Sequence, residues 1–234
     1  MPGLAPVTQE PAPLRRKITA ALRQAIETGT IKLGERLIEK DLCRELDVSR
    51  TSLREALREL AAEGLLATVP AGGVIVAQIT RQEAENIYRI RGAIEALVAE
   101  QFAETANDAA RAALRKAAEN LELTYRSAEI GRILEAKRIF YDCLCTGAGN
   151  QTALDILSRL NSRISQLRIL SLAQPGRFEA SISEVWELVE AIEARAPAAA
   201  YKAATRHVAN AAGAFASMDR EAAIAPVSIG NLRD

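Results

Sequence analysis

The sequence predicts a mainly α fold in two parts: a small helical domain closed by a β-hairpin wing, then an all-α bundle of six helices. Three observations predict it. Apolar residues recur at three- and four-residue intervals through most of the 234 positions. One short segment, LLATVPAGGVIV at 65–76, is β-branched and apolar around a Pro-Ala-Gly-Gly turn, which is a hairpin signal. Directly after it, Thr80 and Glu83 stand at the spacing of a capping box, so a new helix and a new domain start near residue 78. Hydrophobic residues make up 49% of the chain and charged ones 26%, with only 4% aromatic, an ordinary globular composition that leans helical.

Residues 1–13 carry four of the eight prolines and little periodicity, and read as a flexible arm. In residues 14–28, Ile18, Ala21, Leu22, Ala25 and Ile26 share a face, and Gly29 suits a left-handed C-cap. A short second helix over 39–46 sets Leu42 and Leu46 four apart. Asp47 and Val48 form a turn, and Ser49 caps a third helix that ends at Gly64. Beyond residue 80 the helices read as 81–104, 108–126, 130–146, 150–173, 181–194 and 197–218. They are separated by Asn107-Asp108, by Gly147 to Gly149, by Gln174-Pro175-Gly176 and by Pro197 at a helix start. Ser181 and Glu184 offer a second capping box, and 220–234 read as a flexible tail. The domains are thus 14–77 and 80–219.

Thirty Lys plus Arg balance thirty Asp plus Glu, so no global basic field advertises a nucleic-acid partner. The halves are equally balanced: eleven against ten over residues 1–80, nineteen against twenty over 81–234. Cys43, Cys143 and Cys145 match neither a zinc ribbon nor a C-x-x-C pair, which points to a reducing cytoplasm. No apolar stretch nears the roughly 20 residues of a membrane span, and the N-terminus lacks the apolar core of a secretory signal. The expectation is a cytoplasmic protein with no membrane contact.

On a helical wheel of the third helix, Leu53, Ala56, Leu57 and Leu60 share one arc, and Arg50, Thr51, Arg54 and Arg58 share another. One face packs and the other presents guanidinium groups. The second helix, the turn and the third helix follow the helix-turn-helix plan, whose second member enters the major groove of DNA. Arg50 and Arg54, one turn apart, suit guanine edges or phosphates, and Thr51 a thymine methyl or a phosphate. With Glu55 and Glu59 close by, a solvated charged face is the alternative.

Residues 14–77 closely resemble the winged helix-turn-helix of the GntR family of bacterial transcription regulators. The resemblance rests on Gly29 and Gly34, Leu37 and Glu39, Val48-Ser49-Arg50-Thr51, Leu53-Arg54-Glu55-Ala56-Leu57, Leu60, Glu63-Gly64-Leu65 and the wing glycine Gly73. It implies DNA-approaching roles for Arg36, Lys40, Ser49, Arg50, Thr51 and Arg54, and for the wing tip at Gly72 and Gly73. Where many relatives bear a basic residue before the wing glycine, this chain has Pro70-Ala71-Gly72-Gly73, so the Arg15-Arg16-Lys17 cluster is a candidate replacement.

The remainder resembles the FadR C-terminal ligand-binding domain in its shorter VanR-like branch, on Tyr88, Arg91, Glu95 and the GAGN segment Gly147 to Asn150. Most such domains hold a divalent metal on one carboxylate and three histidines. Here those positions fall on Lys137, Tyr141, Val185 and His207, and the chain owns a single histidine. No metal and no cofactor is expected. Lys137 would supply the positive charge in the metal's place, with Arg91, Tyr141, Arg163 and His207 around a small anionic effector of carboxylate type. The alternative is a solvent-facing or salt-bridged Lys137 and a His207 merely accommodated in the bundle.

The resemblance implies a homodimer on a palindromic double-stranded DNA operator, tuned by the effector. Two rivals remain: a constitutive DNA-binding protein whose bundle only dimerises, and a helical-bundle enzyme using Lys137, Tyr141 and His207. No nucleophile motif or phosphate loop supports the enzyme.

Overall fold

In the computed structural model, residues 12–69, 72–127, 129–172 and 174–217 are described. The arm before Ala12, the tail at 220–234 and the wing residues Pro70 and Ala71 lie outside them. The chain divides into two compact units between Gln78 and Ile79.

The first unit contains α1 (Ala12–Glu27), β1 (Arg36–Leu37), α2 (Glu39–Glu45), α3 (Arg50–Ala62), β2 (Leu66–Thr68) and β3 (Val74–Val76). Ile18, Leu22 and Ile26 of α1 bury against Leu53, Ala56, Leu57 and Leu60 of α3, joined by Leu37, Leu65, Leu66 and Val76. The wheel of α3 therefore assigns its faces correctly. Ser49 caps α3, its Oγ accepting from the Ser52 N–H at 3.2 Å. The turn between α2 and α3 is closed by Asp47 at φ 50°, a left-handed conformation that Asp tolerates. The wing is more than a hairpin: β1 joins it, giving an antiparallel sheet of order β1-β3-β2 in which Arg36 lies opposite Ile75. Two residues are too short for a periodicity signal, so sequence reading missed β1.

The second unit contains α4 (Arg81–Thr105), α5 (Asp108–Ser127), α6 (Ile130–Gly147), α7 (Gln151–Leu172), α8 (Arg177–Glu193) and α9 (Pro197–Ala216). Thr80 and Glu83 form the anticipated capping box. The second one does not form. α8 starts four residues earlier than expected, N-capped by Gly176 at φ 71°. Ser181 and Glu184 sit inside the helix and turn their side chains to other helices. Gly147 ends α6 where a Cβ would lie 2.1 Å from the Phe102 ring.

Two apolar clusters occupy the bundle, a large one along Ala96–Ala106 and Ala200–Ala204, and a small one from Ala84, Ile87, Tyr88, Val208 and Ala211. On α4 and α9 the positions between them belong to Arg91, Glu95 and His207, all at most 4% exposed. A polar layer therefore crosses the bundle between two apolar ones.

Candidate functional site

In the first unit, the α3 surface opposite its buried stripe is exposed. Arg50, Thr51 and Arg58 extend into solvent and make no hydrogen bond with the described residues. Arg54 is held: its Nε donates to both oxygens of Glu39 at 2.9 and 3.2 Å, which fixes the guanidinium while leaving both Nη groups without a described partner. Lys40 is exposed beside Glu39. The Arg36 Nη2 donates to the Gly72 carbonyl at 2.6 Å. Gly73, at φ 115°, passes so close beneath Arg36 that a Cβ would lie 3.0 Å from Nη2. A guanidinium from β1 therefore covers the wing turn, which carries no cation of its own.

Arg15 of the Arg15-Arg16-Lys17 cluster turns back toward Glu59 of α3 at 3.7 Å. Arg16 and Lys17 remain exposed. Overall neutrality is thus compatible with a cationic reading face, because placement outweighs net charge.

In the second unit, the polar layer draws on every helix of the bundle. Lys137 and Tyr141 of α6, one turn apart, point inward at 4% exposure each. The Lys137 ammonium makes no hydrogen bond with the described residues and stands 5.7 Å from the Tyr125 ring of α5. Arg91 is ion-paired with Glu95 and donates to the Tyr141 hydroxyl at 2.9 Å. The Arg91 and Arg168 guanidinium carbons lie 5.3 and 5.5 Å from the centre of the Tyr141 ring. Glu184 accepts two bonds from Arg177 at 2.9 Å, one from Asn210 at 2.7 Å, and stands 2.6 Å from His207 Nδ1. Tyr125 and Ser181 close the layer, their hydroxyls 3.1 Å apart.

These contacts set protonation. Burial opposes ionisation of Glu184, but the bonds from His207, Arg177 and Asn210 outweigh it and hold the carboxyl at about 2. Burial lowers His207 to about 4 despite Glu184, so the imidazole is neutral near pH 7 and Nδ1 carries the proton that faces the carboxylate. Burial, then the nearby charges of Arg168, Arg91 and Arg177, drive Lys137 well below the usual amine range. Burial and Glu95 push the Tyr141 phenol up to about 12.

Two family descriptions match these two regions: "Bacterial regulatory proteins, gntR family" over residues 14–76 and "FCD domain" over residues 86–210, more than half the chain. The chain belongs to the GntR family and carries an FCD domain. Among curated relatives, this GntR regulator is 28% identical to the HTH-type transcriptional regulator YdhC of Bacillus subtilis, over 85% of this chain and 89% of that one. It is 26% identical to the HTH-type transcriptional repressor RspR of Escherichia coli, over 84% and 86%. A putative GntR transcriptional regulator from Rhodococcus sp. RHA1 shares the fold at a TM-score of 0.74 and 24% identity, covering 88% of this chain and 99% of that one. Escherichia coli McbR/YncC does so at 0.72 and 23%, covering 84% and 93%. Both families and these relatives are transcriptional regulators, not enzymes.

Within this GntR chain, Arg91, Lys137, Tyr141 and His207 of the anticipated effector site share the polar layer. Arg163 stands apart, reaching toward Glu83 at 3.7 Å in the first turn of α4. The α7 guanidinium in the layer is Arg168, five residues on. Sequence reading also missed Arg177 and Glu184. Starting α8 at residue 181 left Arg177 in a loop and gave Glu184 a capping role, hiding a polar stripe at 177, 181 and 184.

As to the divalent ion common in such domains, the donor set does not fit. Val185 belongs to the apolar core at 2% exposure, and Lys137 brings an amine where a carboxylate ligand would be needed. His207 already faces Glu184, and that carboxylate is engaged by Arg177 and Asn210. Among the described residues, no three His, Cys, Asp or Glu side chains converge. Nor is any described helix long and apolar enough to cross a membrane.

Proposed function

We propose that this chain is a ligand-responsive transcription regulator of the FadR subfamily, VanR-like branch. It acts in the cytoplasm as a homodimer on a palindromic DNA operator, and a small anionic molecule of carboxylate type, bound in the polar layer without a metal, sets its operator affinity. Arg50, Thr51 and Arg54 at the start of α3 read the major groove, with Lys40, Ser49 and Arg36 on flanking phosphates and the Gly72-Gly73 turn against the minor groove. Lys137 receives the anion with Arg91, Tyr141 and His207.

The observation that carries this reading is Lys137, an amine side chain buried in the bundle at 4% exposure without a hydrogen-bond partner among the described residues. Evolved cores rarely keep such a group unless something else satisfies it. Binding shifts a population: the anion favours one arrangement of the two reading heads, and operator affinity changes by the coupling free energy.

Fluorescence anisotropy with the DNA upstream of the gene, titrated with the protein and then with a panel of small organic acids, tests the reading. Saturable operator binding altered by at least one acid, and insensitive to EDTA, is the predicted result. Binding that no acid alters, or that EDTA abolishes, contradicts it.

A further inference from the structure

Lys137 differs from its neighbours in the polar layer in what it is bonded to. Arg91 is ion-paired with Glu95, and Arg177 with Glu184. The Lys137 nitrogen has no hydrogen-bond partner among the described residues, and stands 5.7 Å from the centre of the Tyr125 ring. Burial, and the positive charges of Arg168, Arg91 and Arg177 nearby, drive the proton off this amine in the folded chain. A neutral amine offers an acid two N–H donors and also an unshared electron pair, and no described residue engages that pair. Desolvation beside other cations is the setting that makes a lysine a nucleophile toward carbonyl carbon. Lys17, Lys32, Lys40, Lys116 and Lys202 are all exposed and lack it. A receptor for a carboxylate adjoins the amine. Arg91 spends Nε on Glu95 and Nη2 on the Tyr141 hydroxyl, while Nη1 makes no hydrogen bond with the described residues. Tyr141 lies one turn from Lys137 on α6, so a guanidinium donor and the amine both border one phenol.

Resting on the anion-sensor reading above, we infer that the effector is a 2-oxo acid, which Lys137 captures through its carbonyl group as a reversible imine while Arg91 holds its carboxylate. In such an acid the carboxylate is bonded to the carbonyl carbon, so Lys137 stands beside the anion and the electrophile at once. The step needs no oxidant or reductant. The Nζ electron pair forms a bond to the carbonyl carbon as the C=O π pair moves to oxygen. Both amine hydrogens pass to that oxygen, which leaves as water when the C=N bond forms, and added water reverses the step. A neutral imine brings no new charge into the layer beyond the ligand's carboxylate. A hydroxy acid of the same shape lacks the electrophile and binds by its polar groups alone.

The test incubates the full chain at pH 7 with pyruvate and sodium cyanoborohydride, which reduces an imine to a stable secondary amine, and locates the modified lysines by peptide mass spectrometry. We expect a carboxyethyl group on Lys137, at least about tenfold more abundant than on any exposed lysine. Unfolding in urea should abolish that preference, and Lys137→Met, with folding checked by thermal unfolding, should lose the adduct. Acetone, which has the carbonyl without the carboxylate, should label Lys137 at least about tenfold less than pyruvate does. Isothermal titration calorimetry with pyruvate and lactate separates this inference from the reading beneath it, and pyruvate should bind about tenfold more tightly or better. Equal binding of the two acids with no adduct on Lys137 overturns the imine and leaves an anion sensor in place. Acetone labelling Lys137 as fully as pyruvate overturns the role of Arg91. No binding of either acid and no adduct overturns the inference, and the sensor reading falls with it only if no acid of the anisotropy panel alters operator binding.

Discussion

Replacing Lys137 by Met should stabilise the ligand-free protein, although Lys137 lies in the heart of the bundle. The two side chains are similar in length and volume, so packing along the stem is largely kept. What disappears is an amine at 4% exposure with no described hydrogen-bond partner. A buried polar group without its hydrogen bonds costs about 1–3 kcal/mol, and exchanging buried ionic groups for apolar ones of like volume commonly gains about 1–4. A gain of about 2 kcal/mol is therefore predicted, near 6 °C in the midpoint of thermal unfolding for a domain of this size. The pH dependence follows from the depressed amine. Folding drives a proton off Lys137, because the unfolded chain keeps it up to about pH 10.4, so wild-type stability rises with pH in this range. The advantage of the Met variant should be greatest near neutrality and shrink as the pH approaches about 10. Differential scanning calorimetry of both proteins from pH 7 to pH 10 measures this. A Met variant less stable than wild type by more than about 1 kcal/mol, or a pH-independent gap, would falsify the reasoning by showing that Lys137 is a satisfied structural group.

Glu184→Gln should do the opposite, costing about 3 kcal/mol in urea unfolding at pH 7, because Arg177 loses its buried counter-charge and His207 its partner. In the wild type, stability should fall as the pH drops from about 6.5 toward 4, where the unfolded chain protonates His207 first, and again from about 4.5 toward 2 through Glu184; circular dichroism of the acid transition should show the second limb missing in Glu184→Gln. Gly73→Ala, at φ 115° beneath the Arg36 guanidinium, should cost about 1 kcal/mol or more and weaken operator binding, whereas Gly29→Ala, equally left-handed but in open space, should cost stability alone. Arg50→Ala and Arg54→Ala should each weaken operator binding about tenfold, and whichever of the two contacts a phosphate should lower the slope of log affinity against log salt by about one; unchanged affinity in both would remove α3 from the DNA interface.

Most of this was legible in the sequence wherever local physics and packing agree. The wheel of α3, the Ser49 cap and the Thr80–Glu83 box each follow from a few neighbouring residues, and the structure realises all three. Family landmarks brought Arg91, Lys137, Tyr141 and His207 together from three helices, which no periodicity could have done. Failures arose where tertiary contacts overrode a local signal. Ser181 and Glu184 have capping-box spacing, yet Tyr125, Arg177 and His207 claim their side chains, and Gly176 starts the helix instead. The strand that carries Arg36 is two residues long and exists only because β3 pairs with it, so no local signal announces it. Arg163 and Arg168 both lie on α7, and only the three-dimensional structure shows which reaches the polar layer. Glu39, read at first as a landmark of the family, clamps Arg54 across 15 residues of sequence.

The central claim, that Lys137 stands where an anion binds, is tested most directly by a crystal structure of the protein grown with saturating succinate. The account predicts a carboxylate oxygen within hydrogen-bond distance of Lys137 Nζ and no metal ion beside it. Lys137 bonded to protein oxygens in an empty core, or a metal ion held by His207 and Glu184, would contradict it.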